Sequence, residues 1–264
     1  MVSLFLSLAA FIWLFPFVWT LVASFKPNNE FFTTIWGLPS RAAIENYTTA
    51  YRDMNYPRAL ANSLFVATSA ALLQCVTGTL AAFAFARMRF PAKEVIFMLF
   101  LATMMIPGTV TLTANFLILA KLNWIDTYWA LIIPHGASGF SVFLLRQFFR
   151  TVPMELEEAA RLDGAGRLRF LWSVVVPLAR PALTTVFVFI FITNYNDFLW
   201  PLVMTNSQDL RVIQVALSIF QDFEQGTNWG PILASATITM LPTVVLFAFM
   251  QRAFIRGITS TGLK

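Results

Sequence analysis

The stretch "EEAARLDGAGRLRFLWSVVVPLARPAL", residues 157–183, interrupts an otherwise apolar chain. Glu157, Glu158, Arg161, Asp163, Arg167 and Arg169 crowd its first half, Gly164 and Gly166 divide it, and Pro177 and Pro181 close it. Pro153, just ahead, suits the first turn of a helix, where its missing N–H is harmless. Glu155, Glu157 and Glu158 follow where the positive helix end favours acids, with Arg161 further along. Ala159, Ala160 and Leu162 give this helix a small, partly apolar surface. Gly164 and Gly166 then break it, and a second amphipathic run, Leu168 to Val176, leads into Pro177. Short isolated helices are marginal in water. This helix–turn–helix therefore rests against something, and its small residues suit insertion into a cleft of another protein.

Working outward, the flanks are membrane-like. Hydrophobic residues make up 58% of the chain and charged ones 12%, about half the share of a soluble domain. A bilayer span needs roughly 20 mostly apolar residues. Six stretches meet that need, at about 3–24, 60–85, 95–119, 129–148, 182–203 and 232–251. The third contains Pro107-Gly108, and the fifth ends in polar residues. The predicted fold is all-α, a polytopic membrane protein with six transmembrane helices. Residues 1–58 hold the first helix and a long outer loop, 59–252 the core with the charged loop at 149–181, and 253–264 a tail. The first segment lacks a charged leader and exceeds the usual 7–15 apolar residues of a signal peptide, so it reads as a retained helix.

Charge sets the orientation. With the N-terminus inside, the inner loops and tail hold Arg87, Arg89, Lys93, Arg146, Arg150, Arg161, Arg167, Arg169, Arg180, Arg252, Arg256 and Lys264. The outer loops hold only Lys26, Arg41, Arg52, Arg58, Lys121 and Arg211. This positive-inside bias places both termini and the 149–181 loop in the cytoplasm. The net charge of +5 thus reflects topology and calls for no nucleic-acid partner. Cys75 is the only cysteine and His135 the only histidine, which leaves no intrachain disulfide and no protein-only zinc site. Two outer loops are long, 25–59 and 204–230. A plain connection needs only a few residues, so both are expected to carry structure, with Val212 to Phe220 a short amphipathic helix.

Glu158-Ala159-Ala160, then Gly164 six residues after the glutamate, then Val174-x-Val176-Pro177, resembles the EAA loop of ABC-importer permeases. Val174 and Val176 stand where that pattern has Ile and Leu. Asp163 before the glycine, "LRQFF" before the loop, "NDFLWP" at 196–201 and the C-terminal "FIRGITSTGLK" are similar to the carbohydrate-uptake, maltose-type branch, and most like the second permease of its pair. The resemblance implies a type I importer fold and a transport subunit that is not itself an enzyme. Its partners would be a homologous permease, two ATP-binding ATPase chains, an extracytoplasmic solute-binding protein and the bilayer of the cytoplasmic (inner) membrane. It further implies that Glu158 anchors the ATPase, Ala159 and Ala160 permit close approach, Gly164 permits the turn, and Asp163 and Pro177 complete the loop. The sequence holds no G-x-x-x-x-G-K-[ST] phosphate loop. No cofactor is expected on this chain, and ATP would be used by the partner.

Other readings stay open at this point. An ion-coupled secondary transporter normally places ionisable groups near the bilayer midplane, and Asp197 is the only acid within a predicted span. Asn194, Asp197 and Pro201, at i, i+3 and i+7, would share one helix face and either line the path or satisfy one another between helices. Trp200, Tyr195 and Phe198 either stack on sugar rings or belong to the interfacial aromatic belt. "PHGASGFS" offers Ser138 and Ser141 beside His135, yet small residues there equally suit close helix packing. Pro107 and Pro242 read as kinks. Sugars and glycerol phosphate both fit the motifs. The topology has a direct check. Cysteine placed at Arg167 in a Cys75→Ala background is expected to react with impermeant thiol reagents only after the membrane is opened, and labelling of intact cells would contradict the orientation.

Overall fold

The structure is a computed structural model that describes residues 2–31, 33, 36–220 and 228–262. Among them every regular element is helical. In chain order these are α1 (Val2–Ala23), α2 (Glu45–Asp53), α3 (Tyr56–Arg87), α4 (Lys93–Ala102), α5 (Gly108–Lys121), α6 (Tyr128–Ile132) and α7 (Gly139–Thr151). There follow α8 (Met154–Leu162), α9 (Arg167–Phe170), α10 (Val176–Leu178), α11 (Arg180–Tyr195), α12 (Leu199–Met204), α13 (Ile213–Leu217) and α14 (Trp229–Gly262).

Three helices are long and apolar enough to cross a bilayer unaided: Leu4–Ala23, Tyr56–Arg87 and Trp229–Phe249. Three further spans are bent pairs. Lys93–Met105 and Gly108–Lys121 meet at 99°, Tyr128–His135 and Gly139–Thr151 at 42°, and Arg167–Leu178 and Arg180–Tyr195 at 79°. Six spans result if each pair counts as one. The expected third span is therefore no straight helix. Ile106 is extended, as the residue before a proline prefers, and Pro107 takes ψ 133° before α5 restarts. Pro242, expected to kink its span, lies within an unbroken α14. The tail from 253 continues that helix as far as Gly262.

The chain divides into two compact units. The first comprises residues 1–63 and 208–245. Here the long outer loop has structure of its own, as expected. The buried Asn46 of α2 donates to the carbonyls of Ser24 (2.8 Å) and Lys26 (2.9 Å), and Tyr47 bonds Ser24 through its hydroxyl at 2.6 Å. Asn62 donates to the Asp209 and Arg211 carbonyls, and the Ile213 amide donates to Ser63 Oγ at 2.7 Å. The expected helix within 212–220 is present as α13 and the 3₁₀ turn Ser218–Phe220; residues 221–227 lie outside the described ones. None of the apolar window of α1 is buried, and Leu4, Phe5 and Trp13 are among its bare side chains. Lipid tolerates such a face where water does not.

The second unit, residues 64–207 and 246–264, is built on α3 and α7 running side by side in the same direction. Gln74 accepts from Ser141 (3.0 Å), the Arg146 guanidinium donates to the Phe85 carbonyl, and that of Arg87 donates to the Phe149 carbonyl. Glycine makes this approach possible. A Cβ on Gly78 would stand 3.0 Å from Ser141 Cβ, and one on Gly139 would stand 2.8 Å from Phe100 O and Met104 Cγ. Ser138 caps α7 by accepting from the Phe140 amide at 3.2 Å. Both serines beside His135 thus have structural roles. At the far end of the unit, Asp126 accepts from the Asn206 and Ser207 amides and the Ser207 hydroxyl. The Ser207 and Asn206 N–H bonds hold its carboxyl below the ordinary carboxylate range, against a small opposing effect of burial.

We expect Gly139→Ala to cost about 1–3 kcal/mol, since a backbone carbonyl cannot yield as a side chain can. Gly108→Ala, with nothing within 4 Å of the added carbon, should stay within about 0.5 kcal/mol of wild type. Thermal melting of the two variants in detergent measures the difference, and equal melting would contradict the packing argument.

Candidate functional site

Two places in the second unit have functional geometry. The first is α8 with its supports. Pro153 is the residue just before α8, one position ahead of the expected first turn. Of the acids that follow, Glu157 turns inward. It is 7% exposed and bonded to Arg161 at 2.8 Å along the helix, and its second oxygen lies 3.8 Å from Arg87. That second oxygen, Oε2, accepts no hydrogen bond. Arg87, in the last turn of α3, is the hub. It donates to the carbonyls of Phe149 (2.7 Å) and Val152, and touches Met154 Sδ at 2.7 Å. These carbonyls end α7, where the helix leaves acceptors unsatisfied. One buried guanidinium therefore fastens α3, the end of α7 and the start of α8. The sequence offered Arg87 only as one positive charge among many at a span end.

With Glu157 held inward, the next two stripes of α8 face out. Glu158, Ala159, Leu162 and Asp163 are exposed, Leu162 to 89%, and Ala160 is half-buried. Glu158 has no bonded partner among the described residues. The six-residue spacing from glutamate to glycine has a local cause. Asp163 is the last half-helical residue, and Gly164 follows at φ +76°. The Gly164 amide donates to Arg161 O (3.0 Å) and the Ala165 amide to Ala160 O (2.8 Å). These two bonds form a Schellman closure, in which the residue past the helix end must take the left-handed conformation that glycine accepts. Ala160 and Ala165 are thus the two ends of one hydrogen-bonded turn, and Gly164 is the left-handed residue inside it.

The chain then returns to the bundle through α9, a π-helical turn at Leu171–Val175, and α10. Pro177 has no N–H, and its ring crowds the carbonyl four residues back, at Ser173 inside that wide turn. Pro181 opens α11, and the 79° bend lies between the two prolines. Phe170, Leu171, Val175 and Ala179 are buried, whereas Pro177 is exposed.

The second place is a cavity of about 570 Å³ lined by Gly108, Thr109, Thr111, Leu112, Asn115, Pro134, His135, Asp197, Leu199 and Trp200. Asp197 and Trp200 meet there; Asn194 does not. The one-face arrangement of Asn194, Asp197 and Pro201 is corrected, because no single helix carries them. α11 ends at Tyr195 and α12 starts at Leu199. Asn194 donates back to Ile190 O (2.8 Å), and Pro201 is buried in the first turns of α12. Asp197 sits in the break and accepts from the Trp200 amide at 3.3 Å. That local bond competes with continuing the helix. Tyr195 is 2% exposed and stacked on Phe191, so it is neither belt nor sugar platform. Trp200 donates through Nε1 to Ala130 O (3.0 Å) and meets the His135 ring edge-on at 5.1 Å. His135 and Pro134 also border a neighbouring cavity of about 500 Å³ with Gln74, Met104 and Ser138. His135 thus belongs to the cavity wall, a role its lone position in the sequence did not signal.

Comparisons with known proteins bear on both places. Residues 74–260 match the family described as "Binding-protein-dependent transport system inner membrane component". The chain is 34% identical to the sn-glycerol-3-phosphate transport system permease protein UgpE of Agrobacterium fabrum, across 98% of this chain and 95% of that one. It is 31% identical to the trehalose/maltose transport system permease protein MalG of Thermococcus litoralis, across 97% and 94%. In fold it is similar to a chain of a bacterial ABC transporter involved in the import of the acidic polysaccharide alginate, with TM-score 0.83 and 22% identity over 96% and 94% of the two chains.

Left-handed backbone costs an L-residue about 1–2 kcal/mol. No atom lies within 4 Å of a Cβ added at Gly164, so that cost is conformational. Gly164→Ala should therefore speed hydrogen exchange of the Ala165 amide by roughly five- to thirtyfold, and Gly164→Asn by less. Identical exchange in all three proteins would contradict the closure.

Proposed function

We propose, on the premise that the chain belongs to the family of binding-protein-dependent transport system inner membrane components, that it forms one wall of a carbohydrate path through the cytoplasmic membrane and takes its power stroke through α8. The carrying observation is the paired register of α8, with Glu157 fastened to Arg87 and Glu158, Ala159 and Leu162 bare one position on. A short helix closed at its C-terminal end and tied to two spans through Arg87 transmits force as a rigid body. Its exposed acid and small residues suit a groove of an ATPase chain. In this reading two such chains hydrolyse ATP, a homologous permease completes the path, and both termini and the 149–181 loop face the cytoplasm. The extracytoplasmic binding protein docks on the outer loops 25–59 and 204–230.

The cavity chemistry favours a neutral sugar over glycerol phosphate. Its lining has Asp197, His135, Asn115, Thr109, Thr111 and the Trp200 indole, and no Lys or Arg. Hydroxyls of a sugar can donate to the carboxylate and accept from the amide, and a pyranose face can lie on an indole. A phosphate dianion would meet a carboxylate with no Lys or Arg among the described lining residues to offset it. A volume of about 570 Å³ is in the range of ligand clefts.

Reconstitution of the chain with its partner permease, two ATPase chains and a loaded binding protein should give ATP-dependent uptake of a neutral oligosaccharide. Glu158→Lys should insert normally yet weaken ATPase association at least tenfold, since a hydrogen bond to a charged group contributes about 1.5–3 kcal/mol. Wild-type uptake by that variant would sink the coupling assignment. Uptake of glycerol phosphate in preference to sugar would overturn the substrate reading. Gradient-driven uptake by the chain alone would establish a secondary transporter instead.

A further inference from the structure

A third cavity, of about 380 Å³, opens at the start of α4 and is lined by Phe85, Ala86, Lys93, Glu94, Arg146 and Arg150. It shares no residue with α8 or with the solute cavity. Its charges do not cancel. Arg146, with its side chain 7% exposed, holds both oxygens of Glu94 at 2.7 and 2.9 Å. The same guanidinium donates to Phe85 O and lies 3.9 Å over the Phe97 ring. The single charge of Glu94 thereby offsets one of the three cations. Lys93 gives one bond, to Met88 O at 3.0 Å, and an ammonium has three donors. Arg150 is exposed and makes no ion pair or hydrogen bond among the described residues. α4 also begins with no side-chain cap, so its positive helix end adds to the field. The cavity therefore presents about two uncompensated positive charges and several unused donors beside the buried Phe85.

What lies beside it narrows the ligand. Immediately after Lys93 and Glu94, the same helix exposes Val95 (53%), Ile96 (40%), Met98 (59%) and Leu99 (63%). These residues belong to a membrane-spanning pair. A basic pocket at the foot of a lipid-facing stripe is matched by a molecule with a phosphate at one end and acyl chains at the other. We infer that this cavity binds the phosphate headgroup of an anionic phospholipid, with Lys93 and Arg150 donating to the phosphate, Arg146 fixing the pocket and the acyl chains lying along α4. Basic recesses between spans at a membrane face are suited to anionic lipids on general electrostatic grounds.

Native mass spectrometry of the full chain in detergent tests this, with phosphatidylglycerol, phosphatidylcholine and inorganic phosphate as probes. Phosphatidylglycerol should be retained at least tenfold more tightly than phosphatidylcholine. Lys93→Gln with Arg150→Gln should lower its affinity by about 25-fold, at about fivefold per charge. Arg167→Gln with Arg169→Gln, which removes the same charge from exposed positions of the loop, should change it less than threefold. Equal retention of the two lipids, or equal losses in the two double variants, would overturn the pocket as a lipid site. Inorganic phosphate competing at the lipid's own concentration would reassign it to a free anion. Melting temperatures of both variants, expected to match wild type, exclude misfolding as the cause of any loss.

Discussion

A single buried guanidinium sets the geometry of the functional end of this protein. Arg87 finishes α3; its donors are spent on carbonyls that α7 leaves unsatisfied at Phe149 and Val152, and its charge faces the carboxylate of Glu157 at 3.8 Å. Removing any partner would strand buried polar groups, a far larger loss than an exposed ion pair carries. The register of α8 follows. Because Glu157 must face Arg87, Glu158 and Leu162 must face away. Which acid of α8 is left exposed is therefore decided by its neighbour. The Glu157–Arg87 contact is long at 3.8 Å and leaves Oε2 without a hydrogen bond, whereas the carbonyl contacts are short. α8 is thus held firmly at its start and more loosely along its body, an arrangement suited to a lever.

Much of this was legible in the residues, and the exceptions have physical reasons. Apolar length alone gave the six spans, and the charge pattern of 157–169 gave α8 with its glycine stop. The Schellman closure explains why the spacing was readable, since a turn defined by backbone bonds fixes the interval between its residues. Arg87 was not legible, because its partners lie 62 to 70 residues away in the chain and nothing local marks a cation as buried. Nor was the break at 196–198, since Asn, Asp and Pro at helical spacing mimic a polar face. Here the carboxylate of Asp197 caps a new helix at Trp200 and ends the old one. Cys75 is half-buried with its sulfur 4.0 Å from Leu183 O.

Packing in the second unit follows rules suited to lipid surroundings. Where solvent is itself apolar, helices gain from close approach and interhelical hydrogen bonds more than from hiding apolar area. Gly78 against Ser141, Gly139 against Phe100 and the buried Gln74–Ser141 bond are of that kind. Large side chains remain bare along the spans, such as Leu99, Leu117 and Phe189, where lipid or a neighbouring chain is the natural cover.

The bends are the element that joins fold to function. A helix broken inside a membrane exposes backbone groups that hydrocarbon cannot satisfy, so breaks persist only where protein or a wet cavity receives them. Three breaks in this unit converge on one cavity. Gly108 and Thr109 come from the restart after Pro107 and Pro134 and His135 from the turn before α7, both of them bends within a pair, and Asp197 and Leu199 come from the gap between α11 and α12, apart from the 79° bend. Of the residues that weaken the span readings, Gly108 in the third and Asp197 at the polar end of the fifth are among those that line this cavity. The flaw in each hydrophobic run is the part of it that reaches the cavity.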